Sequence, residues 1–107
     1  MVEIPNLVNE KISKFIDVLE MNDFHIQKAY LFGSYATGTA NEWSDIDLAL
    51  ISDKFVGNRY LDTISLTDYI LKAGQDISPL PFTKEDFEDS MFARDEIVKK
   101  GILINMN

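Results

Sequence analysis

The chain has no cysteine, which excludes disulfide stapling and thiol chemistry. Its single histidine, His25, has nothing nearby in sequence to orient it as a base or a metal ligand. Basic residues are scarce: ten Lys and Arg stand against eighteen Asp and Glu, for a formal net charge of -8. Binding a long polynucleotide ordinarily requires a basic stripe that releases counterions from phosphates, so a nucleic-acid partner is disfavoured. No apolar run reaches the roughly 18 to 20 residues of a membrane span, and Met1–Pro5 lacks the basic-then-apolar order of a secretory leader. A cytoplasmic protein without a membrane partner is therefore expected. Repeats, linkers and low-complexity stretches are missing as well. What is present suffices for a core: 46% hydrophobic and 11% aromatic content over 107 residues argues against disorder and for one domain spanning residues 1–107.

Two short motifs carry the chemistry. From Asp45 onward the sequence alternates, with Ile46, Leu48 and Leu50 on one face of a strand and Asp45, Asp47 and Ala49 on the other. Both carboxylates then point the same way, roughly 6 to 7 Å apart, and can converge on one hard cation or bracket two. Taken alone, such a pair also fits a half-buried strand with two solvated acids. Upstream, Ala29-Tyr30-Leu31-Phe32 reads as a short buried strand ended by Gly33, after which Ser34 opens a brief helix that Gly38 closes. The hydroxyl of Ser34 and the free amides of that first turn would face an anion. A Gly-Ser pair by itself equally describes an ordinary strand-turn-helix. Together, the turn and the two-acid strand have the parts needed to hold a nucleoside triphosphate on magnesium.

The run Gly33-Ser34-x-Ala36-x-Gly38-x5-Ser44-Asp45-Ile46-Asp47-Leu48 closely resembles the signature of the minimal nucleotidyltransferases of the DNA polymerase beta superfamily. The resemblance extends over nearly the whole chain, and the stretch Asp95–Ile104 is similar to the family's C-terminal helix and tail. It implies an α+β fold, a small mixed sheet of three to four strands flanked by helices. Gly33, Ser34 and Ser44 are the implied nucleotide-binding residues, and Asp45 and Asp47 the implied Mg2+ ligands. The family's third acid lies on a following strand, where Gln75–Leu80 offers Asp76; two Mg2+ sites and an in-line transfer of AMP from ATP are implied. Standalone relatives of this size often work as antitoxins that modify a tyrosine of a helical HEPN partner, so a protein acceptor is expected, with a homo-oligomer as the other way to complete an acceptor pocket. One departure is Thr37, where many antitoxin-type relatives carry arginine. A binding module that neutralises a partner by contact, and transfer to a small molecule or an RNA end, are the competing readings.

The remaining sequence is read more coarsely. Leu7, Val8, Ile12, Phe15, Ile16 and Leu19 form the stripe of an amphipathic helix ending near Met21-Asn22-Asp23. A second helix is predicted from about Arg59 through Leu71, with Tyr60, Leu61, Ile64, Leu66 and Ile70 facing inward. Thr83-Lys84-Glu85-Asp86 predicts a helix start of the capping-box kind. Trp43 and Tyr35 flank the motif and fit either a base contact or packing under the loop, while Lys54 and Arg59 fit phosphate contacts or solvent.

Overall fold

The structure, a computed structural model, describes residues 3–106; Met1, Val2 and Asn107, and with them the first residues read for a leader, lie outside it. Helix α1 covers Asn6–Met21 and strand β1 Lys28–Phe32. The short α2 covers Ser34–Thr37 and leads by a loop to β2, Ile46–Ile51. Next come α3 (Arg59–Ser65), α4 (Thr67–Ala73), β3 (Ile77–Phe82) and α5 (Lys84–Asp89). A π-helical segment, Ala93–Val98, and the two-residue β4, Ile102–Leu103, complete the described chain. The expected C-terminal helix is thus this π-helical turn, and the tail returns as a strand. None of the described helices is long and apolar enough to cross a membrane.

The four strands form one mixed sheet in the order β3-β2-β1-β4. Strand β1 pairs antiparallel with both β2 and β4, whereas β2 and β3 run parallel. The sheet is covered on both faces, which explains why β2 is buried almost throughout. Ile46, Leu48, Leu50, Ala29, Leu31 and Ile77 pack with the α1 residues Val8, Ile12, Phe15, Ile16 and Leu19. On the opposite face Ala49, Ile51 and Phe82 meet Ala93 and Ile97 of the π-helical segment. Each fully buried Leu, Ile or Phe stabilises by about 1.5–3 kcal/mol, so α1 owes its position to this stripe and not to its caps: its N-cap residue, Pro5, makes no side-chain cap hydrogen bond.

Strand β3 contains two prolines, Pro79 and Pro81, opposite Leu48 and Leu50. The carbonyls of Asp76 and Phe82 accept from Ile46 and Ser52 of the β2 chain, so residues 76, 78, 80 and 82 turn their backbone groups inward. Pro79 and Pro81 therefore face away from β2, on the outer edge of the sheet, where a missing N–H costs no ladder bond.

Turns between elements are held by side-chain hydrogen bonds. After α1, Asp23 takes a positive φ of 60°, and the Glu20 carboxylate accepts from the Ile26 amide at 2.8 Å and meets His25 Nδ1 at 3.1 Å. The Ile26 amide, with a smaller contribution from His25, holds the Glu20 carboxyl below its ordinary range. His25 is thus a brace of this turn.

The second predicted helix differs from expectation. It divides into α3 and α4 at Leu66, whose amide bonds back to Thr63 across a tightened turn. Leu66 is fully buried and Ile70 half-buried, as expected, but Tyr60, Leu61 and Ile64 are exposed. The inward position of α3 belongs to Asp62, only 4% exposed. Its two carboxylate oxygens accept from the amides of Val56 (2.9 Å) and Gly57 (3.0 Å), locking the loop before the helix. A periodicity argument places apolar residues inward and cannot register a carboxylate that earns burial through two backbone amides. Asp62→Ala, which strands both donors, is expected to destabilise by about 2 kcal/mol or more; an unchanged midpoint in urea unfolding would refute that role.

Thr83 does cap α5, its hydroxyl accepting from the Asp86 amide at 3.1 Å.

Candidate active site

Strand β1 delivers the chain to Gly33, which adopts φ 75° and ψ -150° and caps α2. Its carbonyl accepts from the amides of Ala36 and Thr37. The amides of Ser34 and Tyr35, in the first turn, have no intrahelical acceptor and are available to an anion. Gly38 closes the turn in the left-handed region, φ 81° and ψ 16°. Thr37 bends its hydroxyl onto the Gly33 carbonyl at 3.2 Å and meets Thr39 Oγ1 at 3.1 Å. The side chain at the departing position therefore tightens the turn.

Antiparallel pairing sets Phe32 opposite Asp47, so the turn that follows Phe32 lies at the entry end of β2. The juxtaposition is close: a Cβ built on Gly33 would run into the Asp47 carboxylate. Glycine at 33 is thus required twice, by the positive φ and by the acid that occupies the space of a side chain. Asp47 is half-buried and Asp45 exposed. Burial, followed by the charge of Asp45, pushes the Asp47 carboxyl above its ordinary range. Asp45 stands just ahead of β2 and Asp47 within it; two carboxylates this near in the chain, one of them poorly solvated, repel each other, and a hard divalent cation relieves both costs. The pair and the glycine cradle fit such an ion.

Asp76 is placed differently from its companions. It directly precedes β3, and its backbone carbonyl accepts from Ile46, next to the pair. Its side chain, however, bonds Lys11 Nζ of α1 at 2.5 Å. Among the described residues no set of three or more His, Cys, Asp and Glu is arranged to hold a metal ion. Asp76 therefore lies one strand from Asp45 and Asp47 but is not gathered with them. Nothing in sequence signals Lys11 as its partner, because the two stand 65 residues apart.

Ser44 also has a defined place. Its hydroxyl accepts from the Asn41 amide at 3.0 Å and its own amide donates to the Asn41 carbonyl at 3.1 Å, while Asn41 Oδ1 accepts from Trp43. These bonds close the loop that aims Asp45 and Asp47. Trp43 projects from it, 84% exposed, whereas Tyr35 packs against the core. Arg59 lies over the Phe82 ring at 5.7 Å, a cation–π contact, and Phe82 pairs with Ile51, at the opposite end of β2 from Asp47 and the Gly33 turn.

Solved structures share this architecture. A Sulfolobus solfataricus protein assigned to the nucleotidyltransferases superposes with a TM-score of 0.68 at 15% identity, over 91% of this chain and 78% of its own. A toxin–antitoxin structure with AMP-PNP gives a TM-score of 0.56 at 25% identity, covering 92% and 73% of the two chains. A mutant of the MntA–HpeT toxin–antitoxin gives 0.59 at 24% identity with the same coverage. No curated protein sequence matches the chain. The nucleotidyltransferase-domain model matches residues 10–104, from within α1 to beyond β4. With the turn and acid strand at its centre, this chain belongs to the nucleotidyltransferase domain family.

Proposed function

We propose that the chain transfers a nucleoside monophosphate, AMP from ATP, to a hydroxyl of a partner protein in a Mg2+-dependent reaction, as the antitoxin side of a pair with a HEPN-type protein. The observation that carries this reading is the Asp47 carboxylate lying against Gly33, which joins a polyphosphate turn to a two-acid strand at one point. The toxin–antitoxin relative with AMP-PNP supports both the nucleotide and the partner.

In this mechanism Gly33 and the amides and hydroxyl of the Ser34 turn bind the phosphates, and Ser44 shapes the loop that orients Asp45 and Asp47. Those two acids would hold Mg2+, with Asp76 as the third ligand of a two-ion site. Bound there, Mg2+ would neutralise charge on the phosphates as the bond to the leaving pyrophosphate breaks. Asp76 would also draw the acceptor hydroxyl proton as its oxygen attacks the α-phosphorus. Leaving Lys11 is the condition for either role. The Lys11–Asp76 pair is exposed, and such pairs contribute about 0–1 kcal/mol, so Lys11→Ala is expected to tighten Mg2+ uptake by up to about fivefold in calorimetry. Unchanged or weaker uptake would remove Asp76 from the ligand set.

A second reading draws on the same ion pair. With two acids gathered and the third engaged by Lys11, the chain would act as a binding module that neutralises its partner by contact. Incubating the protein with labelled ATP, Mg2+ and its partner separates the two. Label on the partner that disappears in Asp45→Asn and Asp47→Asn establishes transfer; inhibition that needs no nucleotide and survives both substitutions establishes contact alone.

A further inference from the structure

A cavity of about 550 Å³ opens at the opposite end of β2 from the acids. It adjoins Ile51, four residues beyond Asp47, or about 13 Å along a strand. Its size falls in the range of small-molecule sites, about 300–1,000 Å³. The floor is apolar: Ile51 is buried, and Phe87 and Val98 flank it. Phe87 is fixed by a stacked contact with Tyr30 at 5.5 Å and an edge contact with Phe82 at 5.2 Å, so that wall is rigid.

The rim has the opposite character. Lys28, Lys84 and Arg94 are exposed residues that line it, with Glu88 as the counter-charge. Three of the chain's ten Lys and Arg thus gather at one cavity of a protein whose net charge is -8. Among the described residues neither Lys28 nor Lys84 makes an ion pair, and Arg94 has only a 3.7 Å contact with its neighbour Asp95. Arg94 and Val98 reach the cavity from the π-helical segment, a geometry that is rare and frequent at functional sites.

We propose that this cavity is a second ligand site, for a small amphipathic anion: a flat apolar body seated against Ile51, Phe87 and Val98, with one carboxylate, phosphate or sulfonate among the rim cations. The site is separate from the acids and does not depend on the transferase reading.

The dye 8-anilinonaphthalene-1-sulfonate has this chemistry and reports burial by its fluorescence. Expected with the folded full chain is saturable one-to-one binding that Asp45→Asn leaves unchanged. N-phenyl-1-naphthylamine, which keeps the rings and lacks the sulfonate, is expected to bind roughly tenfold more weakly, as is the dye to a Lys28→Ala/Arg94→Ala variant. Val98→Trp, at a half-exposed position that tolerates bulk, should fill the cavity and abolish binding while circular dichroism stays native. Absence of saturable binding, equal affinity for the uncharged dye, or binding that both variants retain would overturn the proposal.

Discussion

Gly33→Ala is expected to lower nucleotidyl transfer by at least about 10²-fold, since displacement of a reacting group by 1 Å has that effect. The added methyl meets the Asp47 carboxylate, which must swing away from Asp45 and from the phosphate turn. The backbone cost is separate: a side chain at φ 75° adds strain of about 1–3 kcal/mol. Two measurements divide the effects. Thermal unfolding reports the strain, and calorimetric uptake of Mg·ATP reports the displaced acid. A variant that folds and still takes up Mg·ATP with native affinity would show that Asp47 does not need the space at Gly33.

Asp47→Asn is expected to reduce transfer by about 10³-fold, the equivalent of roughly 4 kcal/mol of transition-state stabilisation, yet to raise the melting temperature of the metal-free protein. The sign follows from its raised pKa. Between the unfolded and folded pKa values the native state holds a proton that the unfolded state has released, so stability falls as pH rises through that window. The contribution is fully present below the unfolded pKa and lost above the folded one. At neutral pH the ionised Asp47 therefore opposes folding, and asparagine removes the half-buried charge and its repulsion with Asp45. Added Mg2+ should reverse the order, stabilising the wild type and not the variant. Metal uptake by the wild type should also weaken, as pH falls, from above the ordinary carboxylate range. Equal melting temperatures at pH 7 without metal would mean that Asp45 and Asp47 do not strain the native state.

Local features were legible in the sequence and long-range ones were not. The α1 stripe apart from Leu7, which is exposed, the strand ended by Gly33, the short helix closed by Gly38 and the alternating acid strand all follow from period and dihedral requirements within a few residues. The mixed sheet followed from the resemblance of the motif to a known family. Asp62 escaped because a buried acid contradicts the hydrophobic period, and α3 consequently exposes Tyr60, Leu61 and Ile64. The Lys11–Asp76 pair escaped because neither residue carries a trace of the other. The loop role of Ser44 lies between these cases: its place in the motif was visible, but its hydrogen bond to Asn41 depends on how the loop closes.

The outward prolines of β3 set a limit on how this chain meets other molecules. With Pro79 and Pro81 on the open flank, two successive outward positions cannot donate to an incoming backbone. At the other flank, β4 has only two residues. Neither margin offers a long row of free donors to a further ribbon from a second copy or an extended peptide, which disfavours growth of the sheet by edge addition. Such edges favour contacts made by side chains over contacts made by backbone pairing.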